Sequence, residues 1–192
     1  MDGGVRATVT GMLQDRGYTG ITRAHVGESY VPETTQRGVA YANITANRPD
    51  GQPVLVFSCL PPFGVAKLRA YVTAAAAVGC EHVIVVGPPP STDVSKEPVA
   101  IRVEMFRSAF LKRNMQRHHV QVVKHRVLTE AEVARLLNKF KATLEGLPRL
   151  SKGDAMSRYY DWEVGTVVGF VRVRMGAQPE LYFRCVHEKC CP

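Results

Sequence analysis

No run of about eighteen apolar residues occurs in this chain, so nothing in it reads as a membrane-spanning helix. The opening MDGGVRATV lacks the basic start and apolar centre of a signal peptide, and a soluble intracellular protein is expected. The five cysteines are odd in number and never spaced CxxC, which argues against a disulfide framework and for reduced thiols. Cys59 and Cys80 lie in apolar surroundings and read as inert core residues. The chain has no GxSxG, no phosphate-cradling P-loop, no pair of acidic metal ligands and no internal repeat, so nucleophilic, nucleotide-hydrolysing and solenoid classes find no support.

What the chain has in excess is positive charge. A formal charge of +8 and a pI near 9.4 suit a partner that is nucleic acid or an acidic protein surface, although charge fixes neither fold nor activity. With 192 residues, 45% of them hydrophobic, there is material for one medium domain or two small ones.

In the first half, Val5, Val9, Met12 and Leu13 repeat at helical spacing until Gly17, which predicts an opening amphipathic helix. From Thr19 to Pro53 no period holds, and irregular structure is expected with one strand near Val39 to Ile44. Val54 to Leu60, Ala66 to Val78 and His82 to Val86 then read as strand, helix and strand, the order of a parallel βαβ unit. Prolines 88 to 90 begin an exposed loop, and a helix is expected after Pro98 from the spacing of Val103, Phe106 and Phe110. A basic polar stretch, Asn114 to His119, marks a boundary between domains at 1–117 and 118–192, the second ending in a short Cys-rich tail.

The second half is more sharply patterned. Thr129 and Glu132 form a capping box, and Val133, Leu136, Leu137 and Phe140 make one apolar stripe behind it. Gly146 and Pro148 are read as the helix stop, and Asp154 as the cap of a second short helix holding Arg158, Tyr159 and Tyr160. Strands are expected over Thr166 to Val171 and Leu181 to Val186, so the domain is a small α/β unit closing on a hairpin.

These residues carry a resemblance. The second half is similar to the fifth subunit shared by eukaryotic nuclear RNA polymerases, whose assembly domain by itself makes up the archaeal counterpart. Its pattern of V-P-x-H, capped helix, L-P-R, G-D-P-x-x-R-Y, G-x-x-V and a final Y-R strand meets His119, Val122, His125, Leu147, Pro148, Arg149, Gly153, Asp154, Arg158, Tyr159, Gly165, Val168, Arg172 and Arg184. MLQDRGY and the order VLVF, helix, VIVV resemble the family's opening helix and jaw domain. Val123, Ala155 and Val173 stand where the family usually has proline, and Asp161 where it has glycine, which suggests a divergent copy or a paralog of one polymerase class.

The resemblance implies a non-catalytic polymerase subunit with no cofactor, no metal and no small-molecule substrate. It would dock on the largest subunit, help guide downstream duplex DNA, and reside in the nucleus, or the nucleolus if specific to RNA polymerase I. Interface residues implied are His125, Arg126, Pro148, Arg149, Asp154, Arg158, Tyr159, Tyr160, Arg172 and Arg184; Ser91, Thr92 and Lys96 would lie near nucleic acid. Without the resemblance, Arg158, Tyr159 and Tyr160 read as a surface arginine beside two core aromatics; with it, as interface residues. Two rivals stay open. One is a free-standing DNA-binding module using the positive charge. The other is a divalent-metal nuclease built on Pro49-Asp50, whose signature is incomplete because Val65 precedes Lys67 where an acid is needed. Cys185, His187, Cys190 and Cys191 form a dense set with zinc-binding chemistry.

Overall fold

Val5, Val9, Met12 and Leu13 are all buried along α1 (Gly3–Asp15), the first element of the computed structural model, which describes residues 3–22, 42–59, 61–90, 98–112, 114, 124–172 and 178–188. The helix ends where Gly17 adopts φ 78°, a left-handed conformation that glycine takes without steric cost. A short strand, β1 (Thr19–Thr22), follows directly, and β2 (Ala42–Asn47) lies antiparallel between it and β3 (Pro53–Ser58). Pro49-Asp50-Gly51 is the local signal for the β2–β3 hairpin. Gly51 sits at φ 85° with its N–H donating to the Arg48 carbonyl at 2.9 Å, and Asp50 Oδ1 accepts from the Gln52 N–H at 3.0 Å.

The βαβ unit is present as β3, α2 (Val65–Ala77) and β4 (His82–Gly87), with β3 and β4 in parallel register from Val54↔His82 to Ser58↔Val86. Every residue of β4 is buried, which explains the apolar run that follows His82: both faces of a central parallel strand are covered. Leu55, Phe57, Val83 and Val85 pack with Leu68, Tyr71 and Ala75 of α2 on one face. Burial pushes the Cys59 and Cys80 thiols upward, and the Cys80 Sγ donates to the His82 carbonyl at 3.0 Å, in keeping with inert core roles.

The helix expected after Pro98 is absent. The segment forms β5 (Arg102–Arg107), parallel to β4, followed by a single helical turn, α3 (Ser108–Leu111). Val103 and Met105 join the α2 side of the sheet, while Glu104 turns to the other, a period of two that competes with the weak helical one. Hydrogen bonding to the open edge of β4 decides between them, because an unpaired parallel strand would leave its backbone groups unsatisfied. The resulting sheet runs β1-β2-β3-β4-β5.

The chain divides into two compact units, Met1–Arg113 and Asn114–Pro192. The second holds β6 (Lys124–Val127), α4 (Glu130–Phe140), β7 (Arg149–Ser151), α5 (Ala155–Tyr160), β8 (Val167–Arg172) and β9 (Glu180–His187), with strand order β6-β8-β9-β7. The hairpin β8–β9 pairs antiparallel from Val167↔Cys185 to Arg172↔Glu180. The capping box at α4 is complete: the Thr129 hydroxyl accepts from the Glu132 N–H at 3.4 Å, and Glu132 Oε2 accepts from the Thr129 N–H at 2.9 Å. Thr129→Ala removes this cap and is expected to lower stability by about 1 kcal/mol, read as a lower urea midpoint. An unchanged midpoint would mean that water replaces the cap at no cost.

α4 stops at Phe140, ahead of the expected Gly146, because Lys141 turns left-handed at φ 47°. Phe140 consequently drops out of the buried stripe and is 57% exposed. Two departures from the family pattern have clear local settings. Ala155 is the first residue of α5 after its cap Asp154, a position where proline is favoured, and Asp161 sits at φ 57°, where glycine is favoured and aspartate is tolerated. Val123 and Val173 lie outside the described residues.

Candidate partner interface

The sheet of the second unit has two faces of different character. On one, Leu150, Trp162, Val168, Phe170 and Val186 form a core, with Met156 and Tyr160 of α5 packed against it. Tyr160 stacks on Trp162 with ring centroids 5.1 Å apart, and Phe170 stacks on its cross-strand partner Tyr182 at 5.3 Å. His125 stands edge-on to this cluster, 4.8 Å from Tyr160 and 5.6 Å from Trp162, half-buried. Ring quadrupoles favour these stacked and edge-on arrangements, so the cluster holds α5 at a definite angle to the strands.

The residues expected at a partner interface divide by placement. Arg126, Pro148 and Arg149 are exposed, while Arg158, Tyr160 and Arg184 are half-buried at the surface. Arg126 Nη1 donates to Glu132 Oε1 at 2.6 Å, and the Arg184 guanidinium lies 5.9 Å from the Tyr182 ring. Glu132 is drawn down to about 2 by the Thr129 backbone and by Arg126, so it stays ionised and committed to the helix cap. Tyr159, only 3% exposed, supports this surface from inside, and Asp154 Oδ1 accepts from the Met156 N–H at 2.9 Å as the α5 cap. Arg172 is cross-strand from Glu180. Ser91, Thr92 and Lys96 fall outside the described residues.

The opposite face is only partly covered. α4 lays Leu136 over Val167, Cys185 and Leu147, which leaves the far end of the hairpin open. There Gly169, Val171, Leu181 and Phe183 line a depression of about 450 Å³, and a second of about 490 Å³ continues past Leu181 and Phe183 to Phe140 and Leu147. Gly169 makes the floor: a Cβ added there would come within 3.2 Å of Leu128 Cδ1 and 3.3 Å of Phe183 Cε1. Cys185 is 2% exposed in the apolar cluster beneath α4, and burial pushes its thiol up. That placement removes it from the zinc-capable set; Cys190 and Cys191 lie outside the described residues.

The first unit contains a buried charge cluster that sequence reading does not anticipate. Arg16, just beyond α1 and with a side chain 2% exposed, donates to Glu104 of β5 through both terminal nitrogens, at 3.2 and 2.9 Å. His82 Nε2 lies 2.6 Å from Glu104 Oε1, and Arg102 adds a longer approach of 3.7 Å. Burial alone would raise the Glu104 carboxyl, but His82 and Arg16 together bring it down to about 2. The sequence signal for the cluster is the outward phase of β5, visible only once that segment is read as a strand. Asp50, on which the nuclease reading rests, is half-exposed in the β2–β3 turn with Arg48 3.5 Å away. Among the described residues no group of three or more His, Cys, Asp or Glu could hold a metal ion, and no helix is long and apolar enough to cross a membrane.

Comparison with known proteins agrees with this architecture. Residues 114–186 match the family RNA polymerase Rpb5, C-terminal domain. The DNA-directed RNA polymerases I, II, and III subunit rpabc1 of Dictyostelium discoideum is 30% identical over 177 residues, 88% of each chain. DNA-directed RNA polymerase V subunit 5A of Arabidopsis thaliana is 37% identical over 90 residues, 47% of this chain and 40% of that protein. The subunit 5B of RNA polymerases IV and V from the same plant is 34% identical over 90 residues, 47% of this chain and 41% of that protein.

Proposed function

This chain belongs to the Rpb5 family of DNA-directed RNA polymerase subunits, and from that premise we propose that it is an architectural, non-catalytic subunit. Its C-terminal unit docks on the largest polymerase subunit, and its N-terminal unit lies beside downstream duplex DNA during transcription. The similarity to the rpabc1 subunit across both units is the observation that carries this reading. The charge of +8 supports proximity to DNA, since each lysine or arginine placed near a phosphate releases a condensed counterion. Asp50 supports the non-catalytic part: its Oδ1 is engaged in a turn and Arg48 flanks its other oxygen, whereas a metal ligand must turn its carboxylate toward an ion.

Relatives serve either several polymerases together or polymerases IV and V, so sharing and restriction to one class both occur in the family. The departures at Ala155 and Asp161 support restriction here, with RNA polymerase I and a nucleolar location as one form of it, within a nuclear location in either case. Purification of native complexes through a tag on Met1, followed by mass spectrometry, separates these. One largest subunit recovered in stoichiometric amount is the expected result; several would make the chain a shared subunit. Recovery of none, together with tight and salt-dependent duplex binding by the chain alone, would replace the subunit reading with that of a free-standing DNA-binding module.

A further inference from the structure

The open end of the α4 face combines three properties that an ordinary solvated surface does not. It is apolar and exposed: Leu181 is 58% accessible and Phe140 57%. It is concave, since the two depressions share Leu181 and Phe183 and so form one groove along the hairpin. Its rim is positive. Arg135 and Lys139 stand on the α4 side with no carboxylate partner among the described residues, and Arg184 stands on the other. Of the lining carboxylates, Glu132 is held by Arg126 and the cap, and Glu180 stands at the hairpin end of the second depression, away from Arg135 and Lys139 of the first.

We propose that this groove receives an acidic amphipathic segment of another polymerase subunit, its apolar side chains seated on Leu181 and Phe183 and its carboxylates facing Arg135 and Lys139. The inference rests on the reading of the C-terminal unit as the docking unit, and adds where on that unit a partner sits and of what chemistry. Charge and polarity select this occupant. A second copy of the chain would bring another net charge of +8 against the same cationic rim. Nucleic acid satisfies the cations but not the floor, because phosphates cannot cover exposed leucine and phenylalanine. An apolar segment flanked by carboxylates satisfies both, and pairing at the groove edge excludes partners of the wrong sign.

The test uses the full-length tagged chain in its own cells, with the photo-crosslinking residue benzoylphenylalanine in place of Leu181. Cross-links are expected on a polymerase subunit, within a stretch where aspartate or glutamate alternates with apolar residues. In parallel, Arg135→Glu is expected to lower recovery of that subunit at least tenfold. Arg6→Glu, an equal charge change on the exposed side of α1, should leave it unchanged. Both positions are on helix surfaces, and equal far-UV circular dichroism confirms that the variants fold. Cross-links to a second copy, to nucleic acid, to a protein outside the polymerase or to a segment without acids would each overturn the proposal. So would equal recovery by the two variants. Wild-type chain that recovers no polymerase subunit at all overturns the subunit reading first, and this proposal with it.

Discussion

Glu104→Gln is expected to cost the N-terminal unit about 3 to 5 kcal/mol, because it strips the carboxylate from an arginine whose side chain is only 2% exposed. Arg16 cannot release its charge near neutral pH, so the substitution takes the bidentate carboxylate away from a buried cation that stays charged. Acid titration gives an independent measure. The folded value near 2 lies below the ordinary 4.5, so the unfolded chain takes up a proton first as the pH falls. Stability from this carboxylate is therefore present above about pH 4.5 and is lost on the way to about pH 2, on the order of 3 kcal/mol in all. Glu104→Gln should flatten that part of the acid dependence while lowering stability at pH 7. Hydrogen exchange of β4 and β5 amides locates the loss, and urea midpoints at about pH 6 and pH 3 measure its slope. Equal slopes in wild type and variant would assign the acid sensitivity to other carboxyls.

Trp162→Ala is expected to have a comparable effect on the C-terminal unit, about 3 to 5 kcal/mol, the range for truncating a large buried aromatic. Trp162 is 7% exposed, stacks on Tyr160 and meets Phe170 edge-on at 6.5 Å, so removing it opens a cavity where α5 joins the sheet. Whole domains have only about 5 to 15 kcal/mol in hand, and this unit is a small one, so the variant should be largely unfolded at 37 °C. Thermal unfolding by circular dichroism tests it, and Trp162→Phe, which keeps an aromatic ring in the stack, should recover more than half the loss. If Trp162→Ala melts within a few degrees of wild type, the aromatic cluster is not what anchors α5. Trp162 is the chain's single tryptophan, so its fluorescence in wild type reports this unit alone.

The parts legible in the sequence are those whose cause is local. The capping box needs only Thr129 and Glu132 three residues apart, the α1 stripe only helical spacing, and the hairpin strands appear within one residue of their expected limits at either end. The residues expected at a partner interface come from the resemblance, since arginine and tyrosine in a familiar order carry it. Their division into support and surface was not legible. Tyr159 and Tyr160 are adjacent and chemically alike, yet one is enclosed and the other half-exposed, because a helix face points them in different directions.

Composition, cap and spacing by themselves determined the α/β class, the βαβ order and the basic character, and the ordered motifs of the second half carried the resemblance to the family, since each rests on residues near one another in the chain. Tertiary structure alone decided that Arg102–Arg107 is a strand, that Arg16, His82 and Glu104 meet, and that the groove beyond α4 stays open. The physical reason is common to all three. A free strand edge, a buried carboxylate and an uncovered sheet face are each defined by partners tens of residues away. No local period or propensity encodes which distant segment will satisfy them.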